Sequence, residues 1–123
     1  MVQPESAVRP PAVAGMFYPA QATVLAAEVD ALLDAAAVEE ESAACPKAIV
    51  VPHAGYAYSG AVAAAGYAQL RAHRARIRRV VLMGPSHRVG FHGLATSTAT
   101  AWRTPLGEVR LDTQGARLLA NLP

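Results

Sequence analysis

Two stretches decide the expected fold of this chain: AIVVPH at residues 48–53 and VVLMGPSH at residues 80–87. Each opens with four aliphatic residues and closes at a proline or glycine that precedes a histidine. Short continuous apolar runs between turn residues predict strands that are buried on both faces. The alanine-rich stretch between them, residues 59–74, predicts a helix that begins at the N-cap Ser59. Strand, helix and strand together predict a βαβ unit with parallel strands.

The two histidines that close these stretches, His53 and His87, are the main candidate site residues. Both are expected at the carboxyl edge of the sheet, where open α/β sheets bind their ligands. Neighbouring strands lie about 4.8 Å apart, so two imidazoles there can bind one metal ion at about 2.1 Å each. The pair therefore predicts a metal site or an acid–base pair. The competing interpretation is structural, with each imidazole capping a loop carbonyl.

A third metal ligand is harder to identify in this sequence. His92 lies five residues after His87 and is the local candidate, as a third ligand or as an acid or base. A solvated loop histidine is the competing interpretation. Cys45 and His73 are expected at the opposite edge of the sheet and outside any site. Cys45 is separated from His53 by the length of a strand. His73 lies at the end of the predicted helix, one helix length away from the start of that helix near His53. His73 is expected on the surface.

Three polar side chains beside the histidines are candidate substrate-binding residues: Tyr56, Tyr58 and Ser86. The phenols are able to hydrogen-bond a substrate or a metal-bound oxygen, and tyrosines that cap loop backbones are the competing interpretation. A serine nucleophile with His53 as its base is disfavoured. The chain has no Gly-x-Ser-x-Gly turn, and no carboxylate is placed to orient that base.

The remaining segments predict a small number of further elements. Apolar residues recur at helical spacing over residues 23–37 and predict an amphipathic helix. Residues 13–19 form an apolar loop that is expected to pack over the domain surface, and residues 1–8 are expected to be disordered. The other predicted elements are a strand at 94–97, a turn at 104–107, a strand around 109–111, and a last helix with Asp112 as N-cap that ends at Leu122.

Length and composition limit the class of protein. The chain has 123 residues, which suits one α/β domain with a mostly parallel sheet flanked by helices. Its net charge of +2 is small, and the arginine-rich residues 71–79 lack interleaved aromatics. They therefore predict a solvated face and no nucleic-acid partner. One cysteine and the lack of a signal-like or membrane-length apolar stretch predict a cytoplasmic protein without a membrane partner.

Four motifs occur in a characteristic order: AGMFYP at residues 14–19, PHAGYAYSG at 52–60, GPSH at 84–87 and TPLG at 104–107. In this order they resemble the Memo family, whose prokaryotic members are called AmmeMemoRadiSam system protein B. The resemblance implies a fold similar to the extradiol (class III) ring-cleaving dioxygenases. It also implies a redox-type site with an iron or copper ion, in which His53 and His87 are ligands. The implied activity of the full-length protein is that of a metal-dependent, dioxygenase-like oxidoreductase.

Two departures from the family pattern affect this expectation. Arg88 stands where many members carry a second histidine directly after the one that matches His87. Family domains are also longer, and their remaining ligands, including a cysteine, belong to the part beyond this chain. Cys45 is not that cysteine. The chain is therefore expected to be the N-terminal half of a Memo-type domain, a fragment that is inactive alone.

Such a half leaves a strand edge and an apolar face of the sheet uncovered, so we expect it to form oligomers or aggregates through them. The alternative to a metal-dependent enzyme is a non-catalytic module that binds a peptide or protein in the same cleft. Metal content separates the two classes, because only the redox enzyme needs a bound transition metal. The sequence does not indicate which small molecule or peptide is bound, nor which of the two metals.

Overall fold

A computed structural model describes residues 7–36 and 44–120 of the chain. These residues fall into two compact units. The first, residues 13–81, is helical; the second contains the residues before 13 and after 81 and is built around a small sheet. The elements in chain order are β1 (Val8–Arg9), α1 (Ala22–Ala35), α2 (Tyr56–Ala68), a 3₁₀ helix (Arg71–His73), β2 (Ala101–Thr104), β3 (Gly107–Arg110) and α3 (Thr113–Ala120).

The helical unit is held together by close packing of α1 on α2. Leu25 of α1 and Ala64 and Ala68 of α2 are buried. At Gly60 the helices approach so closely that a Cβ there would lie 3.0 Å from Leu32 Cδ1. Small side chains along α2 allow this approach, because they keep its surface near the backbone. The predicted amphipathic helix at residues 23–37 is confirmed up to Ala35, and residue 37 lies outside the described residues.

The first predicted strand, residues 48–51, is not a strand in the structure but an extended segment that lies against α2. Val51 Cγ1 lies 2.6 Å from the place where a Cβ on Gly66 would be. Ile49 and Val51 are half-buried, whereas Val50 is 100% exposed. Alternate residues of an extended chain point to opposite sides, so α2 covers one side only. The prediction of a buried, paired strand is wrong, since no described segment pairs with this one.

The other two predicted apolar strands are wrong for a similar reason. Residues 80–83 are 68–76% exposed and belong to no sheet, and residues 94–97 likewise form no strand. Within residues 7–36 and 44–120, neither segment pairs with a neighbouring strand. The βαβ unit with parallel strands is therefore not formed by the described residues.

Helix α2 begins three residues earlier than the sequence indicates. Its N-cap is Gly55, and the amides of Tyr58 and Ser59 donate to the Gly55 carbonyl. Ser59 lies inside the first turn and is buried, and its hydroxyl donates to the Ala54 carbonyl at 3.0 Å. Ser59 is therefore not the N-cap, although it does bond the loop that precedes the helix.

The sheet unit has three strands in the order β1-β2-β3. β1 pairs with β2 in parallel, and β2 pairs with β3 antiparallel. The sheet is thus mixed, which corrects the expectation of a mostly parallel sheet, while the α/β class holds. Val8 is part of β1, so the expectation of disorder up to residue 8 is wrong at this position. The resemblance in fold to the extradiol dioxygenases stays a prediction.

The β2–β3 hairpin and α3 follow the sequence pattern closely. The turn at residues 104–107 forms as predicted, with the Thr104 hydroxyl donating to the Gly107 carbonyl at 2.9 Å. Gly107 has a φ of +130°, which favours glycine. Asp112 caps α3 because its Oδ1 accepts a bond from the Gly115 amide at 2.9 Å. The predicted end of this helix at Leu122 lies outside the described residues. None of the described helices has the length and apolar character needed to span a bilayer.

Candidate functional site

His53 lies in a short exposed loop between the extended segment and α2. Val51 anchors the loop on its N-terminal side by contact with Gly66. Ser59 anchors it on the other side through its bond to the carbonyl of Ala54. A loop fixed at both ends presents the His53 side chain toward solvent with little backbone freedom.

The apolar loop at residues 13–18 is bound directly to the His53 loop. The amide of Tyr56 donates to the Phe17 carbonyl at 2.8 Å, and the Tyr18 and Tyr56 ring centroids lie 5.8 Å apart. A Cβ at Gly55 would lie 3.4 Å from both Phe17 Cα and its carbonyl oxygen. We call this contact of the loop at 13–18 with Gly55 and Tyr56 the loop clasp. It joins the first two sequence motifs into one structure.

The loop at 13–18 is itself a tight turn that is preorganised for this contact. The amide of Gly15 donates to the Tyr18 carbonyl at 2.8 Å, and the amide of Phe17 donates to the Val13 carbonyl at 2.9 Å. Gly15 has a φ of +80°, where a side chain is strained. The sequence predicted that this loop packs on the surface but not that it packs on the His53 loop. The sequence signal that could have indicated this contact is that both motifs contain glycine and aromatic residues.

Tyr56 is a packed residue of the clasp, whereas Tyr58 is open to solvent. Burial raises the pKa of the Tyr56 phenol above 10.0, and Tyr18, Glu28 and Tyr67 raise it further. Tyr56 is therefore a neutral phenol near neutral pH. Tyr58, in the same helical turn, is 89% exposed. Of the two predicted substrate-binding tyrosines, Tyr58 is the one whose side chain is available to a ligand.

His87 lies in an irregular exposed segment of the sheet unit, as does His92. The hydroxyl of Ser86 donates to the Val89 carbonyl at 2.6 Å, which closes a tight turn around His87. The Ser86 proton is thus held by a backbone oxygen and not by a histidine base. This arrangement is structural, and it agrees with the sequence argument against a serine nucleophile.

The predicted ligands belong to different units of the chain. His53 is part of the helical unit, and His87 and His92 are part of the sheet unit. Their convergence on one ion stays a prediction. Within residues 7–36 and 44–120, no three His, Cys, Asp or Glu side chains form a group that could hold a metal ion. Two imidazoles suit iron or copper by their chemistry, but the described part of the chain does not supply a complete ligand set.

His73 and Cys45 were both predicted to lie outside the site. His73 is only 7% exposed, so its predicted surface position is wrong. Helix α2 ends at Ala68, and the chain then turns through the 3₁₀ helix, where the His73 amide donates to the Leu70 carbonyl at 3.0 Å. This turn places His73 inside the unit. Cys45 is half-buried, with its Sγ 3.6 Å from the Pro46 carbonyl oxygen.

A groove of about 320 Å³ lies elsewhere in the helical unit, beside the end of α2. Arg71 on its rim pairs with Asp34 at 2.6 Å, and both side chains are exposed. All five arginines of residues 71–79 are exposed, as predicted for a solvated face. None of the predicted site residues lines the groove, which is formed by Asp30, Leu33, Tyr67, Leu70, Arg71, Arg74 and Ile77.

Comparison with known proteins decides the family. A family model described as Memo-like protein matches residues 9–122, nearly the whole chain. This chain belongs to the Memo family. The resemblance that the four motifs indicated is thereby confirmed, and all four of them lie inside the matched residues. The loop clasp is thus a contact between two segments of the family match.

Several relatives match at similar levels. Protein MEMO1 of Xenopus tropicalis is 39% identical over 99 residues, which cover 80% of this chain and 32% of the relative. A MEMO1 family protein of Aquifex aeolicus is 40% identical over 105 residues, covering 85% and 37%. One of Methanopyrus kandleri is 40% identical over 117 residues, covering 90% and 41%. This Memo family chain therefore spans about a third to two-fifths of the length of these relatives.

Proposed function

We propose that this chain contributes His53 and His87 as two imidazole ligands to the iron or copper site of a Memo-type redox protein. The observation that supports this proposal best is the construction of the His53 loop. Its histidine is exposed, while the backbone around it is bonded to α2 and to the loop at 13–18. Rigid loops with an exposed polar side chain are typical of ligand sites, because the scaffold holds the side chain in a binding position.

The donor chemistry suits these metals. Neutral imidazole binds iron and copper well, and such an ion, when bound, supplies one-electron and oxygen chemistry. Catalytic metal sites usually have about three protein ligands, so two histidines need at least one more. His92 is the candidate within this chain, and the other ligands would come from residues outside the described ones. Tyr58 and Ser86 are the candidate contacts to a substrate, Tyr58 through an exposed phenol.

A second function is a non-catalytic module that binds a peptide or protein. The specific observation in its favour is the apolar and aromatic character of the exposed residues in the clasp and in the first turn of α2 beside it. Met16 and Tyr58 are largely exposed, and Phe17 is about half exposed. Aromatic and methionine side chains are enriched where proteins bind other chains. On this proposal His53 hydrogen-bonds the partner and holds no metal.

The experiment that tests the first proposal measures metal binding by residues 1–123. The chain is stripped with a chelator and titrated with Cu(II), with bound metal measured by mass spectrometry and nitrogen ligation by EPR. His53→Ala and His87→Ala should each weaken Cu(II) binding by about tenfold or more, since even outer-shell changes cost about 10–100-fold. Each variant should also remove one nitrogen from the EPR coupling pattern.

The matched control is Arg88→Ala, which changes an exposed residue next to His87 that cannot bind the metal. It should leave the affinity unchanged. His92→Ala tests the third ligand in the same titration. Cu(II) affinity that is equal in the parent, His53→Ala and His87→Ala would contradict the metal proposal and favour the binding module.

A further inference from the structure

The groove beside the end of α2 lies wholly within the helical unit and has an apolar floor. Leu33 of α1 lies there with Leu70 and Ile77, and all three side chains are half-buried. Tyr67, which is 44% exposed, also lines the groove. Its volume of about 320 Å³ holds about ten non-hydrogen atoms, since one water molecule takes about 30 Å³ of liquid. The groove therefore has room for one large apolar side chain.

The charged residues of the groove differ in whether they already have a partner. Arg71 is held by carboxylates of α1, because its guanidinium donates to Asp34 Oδ1 at 2.6 Å. That hydrogen bond, together with the charges of Asp34 and Asp30, raises the pKa of Arg71. Arg74 lines the same groove, and within residues 7–36 and 44–120 no carboxylate forms an ion pair with it. The groove therefore offers the Arg74 guanidinium to an anionic group.

Positive charge continues along the chain beyond the groove. Arg76 and Arg78 are exposed and, like Arg74, form no ion pair with any residue that the structure describes. Neither of them lines the groove, so a small molecule that only fills the groove would not use them. An extended acidic partner is able to use both features, and its charge would also speed the encounter.

We propose that this groove binds an acidic segment of a partner protein, with one aromatic side chain of that segment on the apolar floor. Carboxylates on either side of the aromatic residue bind Arg74, Arg76 and Arg78. Aromatic side chains are enriched in protein interfaces, and guanidinium groups stack on their faces. The proposal does not depend on the proposed function, because neither His53 nor His87 lines the groove.

A nucleic acid is a poorer partner for the same surface. Proteins that bind single strands combine a basic groove with several aromatic side chains on which successive bases stack. Tyr67 is the one aromatic residue that lines the groove, and residues 71–79 contain none. The surface therefore has the charge that a nucleic acid needs without the stacking platform.

The test measures binding of fluorescein-labelled peptides to residues 1–123 by fluorescence anisotropy, in chelator-containing buffer. The probe is Gly-Glu-Glu-Phe-Glu-Glu-Gly, and two control peptides carry alanine in place of the phenylalanine or lysine in place of every glutamate. The alanine peptide should bind about tenfold more weakly, the factor expected when most of one aromatic side chain is buried. The lysine peptide should not bind. Because metal is excluded, these results are separate from those of the Cu(II) titration.

Two charge variants in the groove should shift the affinity for the probe in opposite directions. Arg74→Gln should weaken binding by about two- to fivefold, the range for an exposed ion pair. Asp30→Asn removes a carboxylate that repels the probe and should strengthen binding by about twofold. Arg110→Gln is the matched control, since Arg110 is an exposed residue of β3 outside the groove, and it should leave the affinity unchanged. All three side chains are exposed, so far-UV circular dichroism of each variant should match the parent.

Heteronuclear NMR of the full chain locates the bound probe. The largest changes in amide chemical shift are expected at residues 67–77 and in the second half of α1. Largest changes at residues 53–58 would overturn the proposal, because they would place the probe at the His53 loop. Equal binding of the phenylalanine and alanine peptides, equal effects of Arg74→Gln and Arg110→Gln, or no binding of the probe would also overturn it. Tighter binding of a labelled oligothymidylate of equal charge would favour a nucleic acid and would likewise refute the acidic partner.

Discussion

Replacement of Gly66 by alanine tests the contact that holds the His53 segment against α2. The new Cβ would lie 2.6 Å from Val51 Cγ1, well inside the spacing of about 3.5–4.0 Å at which carbon atoms make favourable contact. Val51 is β-branched, so its rotamer choice is narrow. Relief of the clash therefore requires movement of the backbone on either side of Val51, and His53 follows two residues later.

Two opposing effects set the size of the change. Overpacking of this kind costs about 1–3 kcal/mol, while Gly→Ala inside a helix contributes about 1 kcal/mol of stability. Gly66→Ala is therefore expected to lower the free energy of unfolding by about 0–2 kcal/mol. Gly60→Ala is the matched control in the same helix. Its Cβ would meet Leu32 Cδ1 at 3.0 Å, the end of a flexible side chain, so its net effect should be close to zero or stabilising.

The assay is urea unfolding, monitored by far-UV circular dichroism. The free energies of unfolding of the parent and both alanine variants are compared with the same dependence on urea concentration (m value) for all three. A second readout is Cu(II) affinity, which Gly66→Ala should reduce and Gly60→Ala should leave unchanged if the segment at 48–51 positions His53. The reasoning is refuted if Gly66→Ala is stabilised as much as Gly60→Ala. That result would mean that the Val51 side chain is not packed against α2.

Three further substitutions test other contacts. Tyr56→Phe removes a phenol whose pKa in the folded chain lies above 10.0. Because this phenol keeps its proton to higher pH in the folded chain than in the unfolded chain, the stability of the parent should fall as pH rises past 10.0. Urea unfolding should show a smaller fall in the variant. Ser59→Ala removes the bond to the Ala54 carbonyl and should lower the free energy of unfolding by about 0.5–1.5 kcal/mol, with Ser59→Thr as the hydroxyl-retaining control in thermal unfolding. Asp112→Ala removes the cap on the Gly115 amide and should cost about 0.5–2 kcal/mol of helix stability. Asp112→Asn keeps an acceptor and should retain the parental helicity, so equal helicity of the two variants by circular dichroism would contradict this assignment.

Elements whose partners are close in sequence were predictable from the sequence alone. Helix α1 follows from apolar residues at helical spacing, and the β2–β3 hairpin follows from the turn at 104–107. The Asp112 cap is equally local, since its oxygen bonds an amide three residues later. In each case the residues that satisfy the backbone lie within one turn or one hairpin. The four motifs also determined the family, which the match over residues 9–122 confirms.

Features that depend on distant segments were decided only by the tertiary structure. The clasp joins Phe17 to Tyr56 across 39 residues, and His73 is buried because the chain turns after α2. The apolar runs at 48–51 and 80–83 have strand composition, but a strand also needs a neighbour to bond its backbone groups. The composition of a segment indicates which side chains it can bury, but it does not indicate whether a neighbouring strand is present. For the same reason the sequence indicated His53 as a candidate site residue, whereas the bond from the Tyr56 amide to the Phe17 carbonyl beside its loop was decided by the tertiary structure.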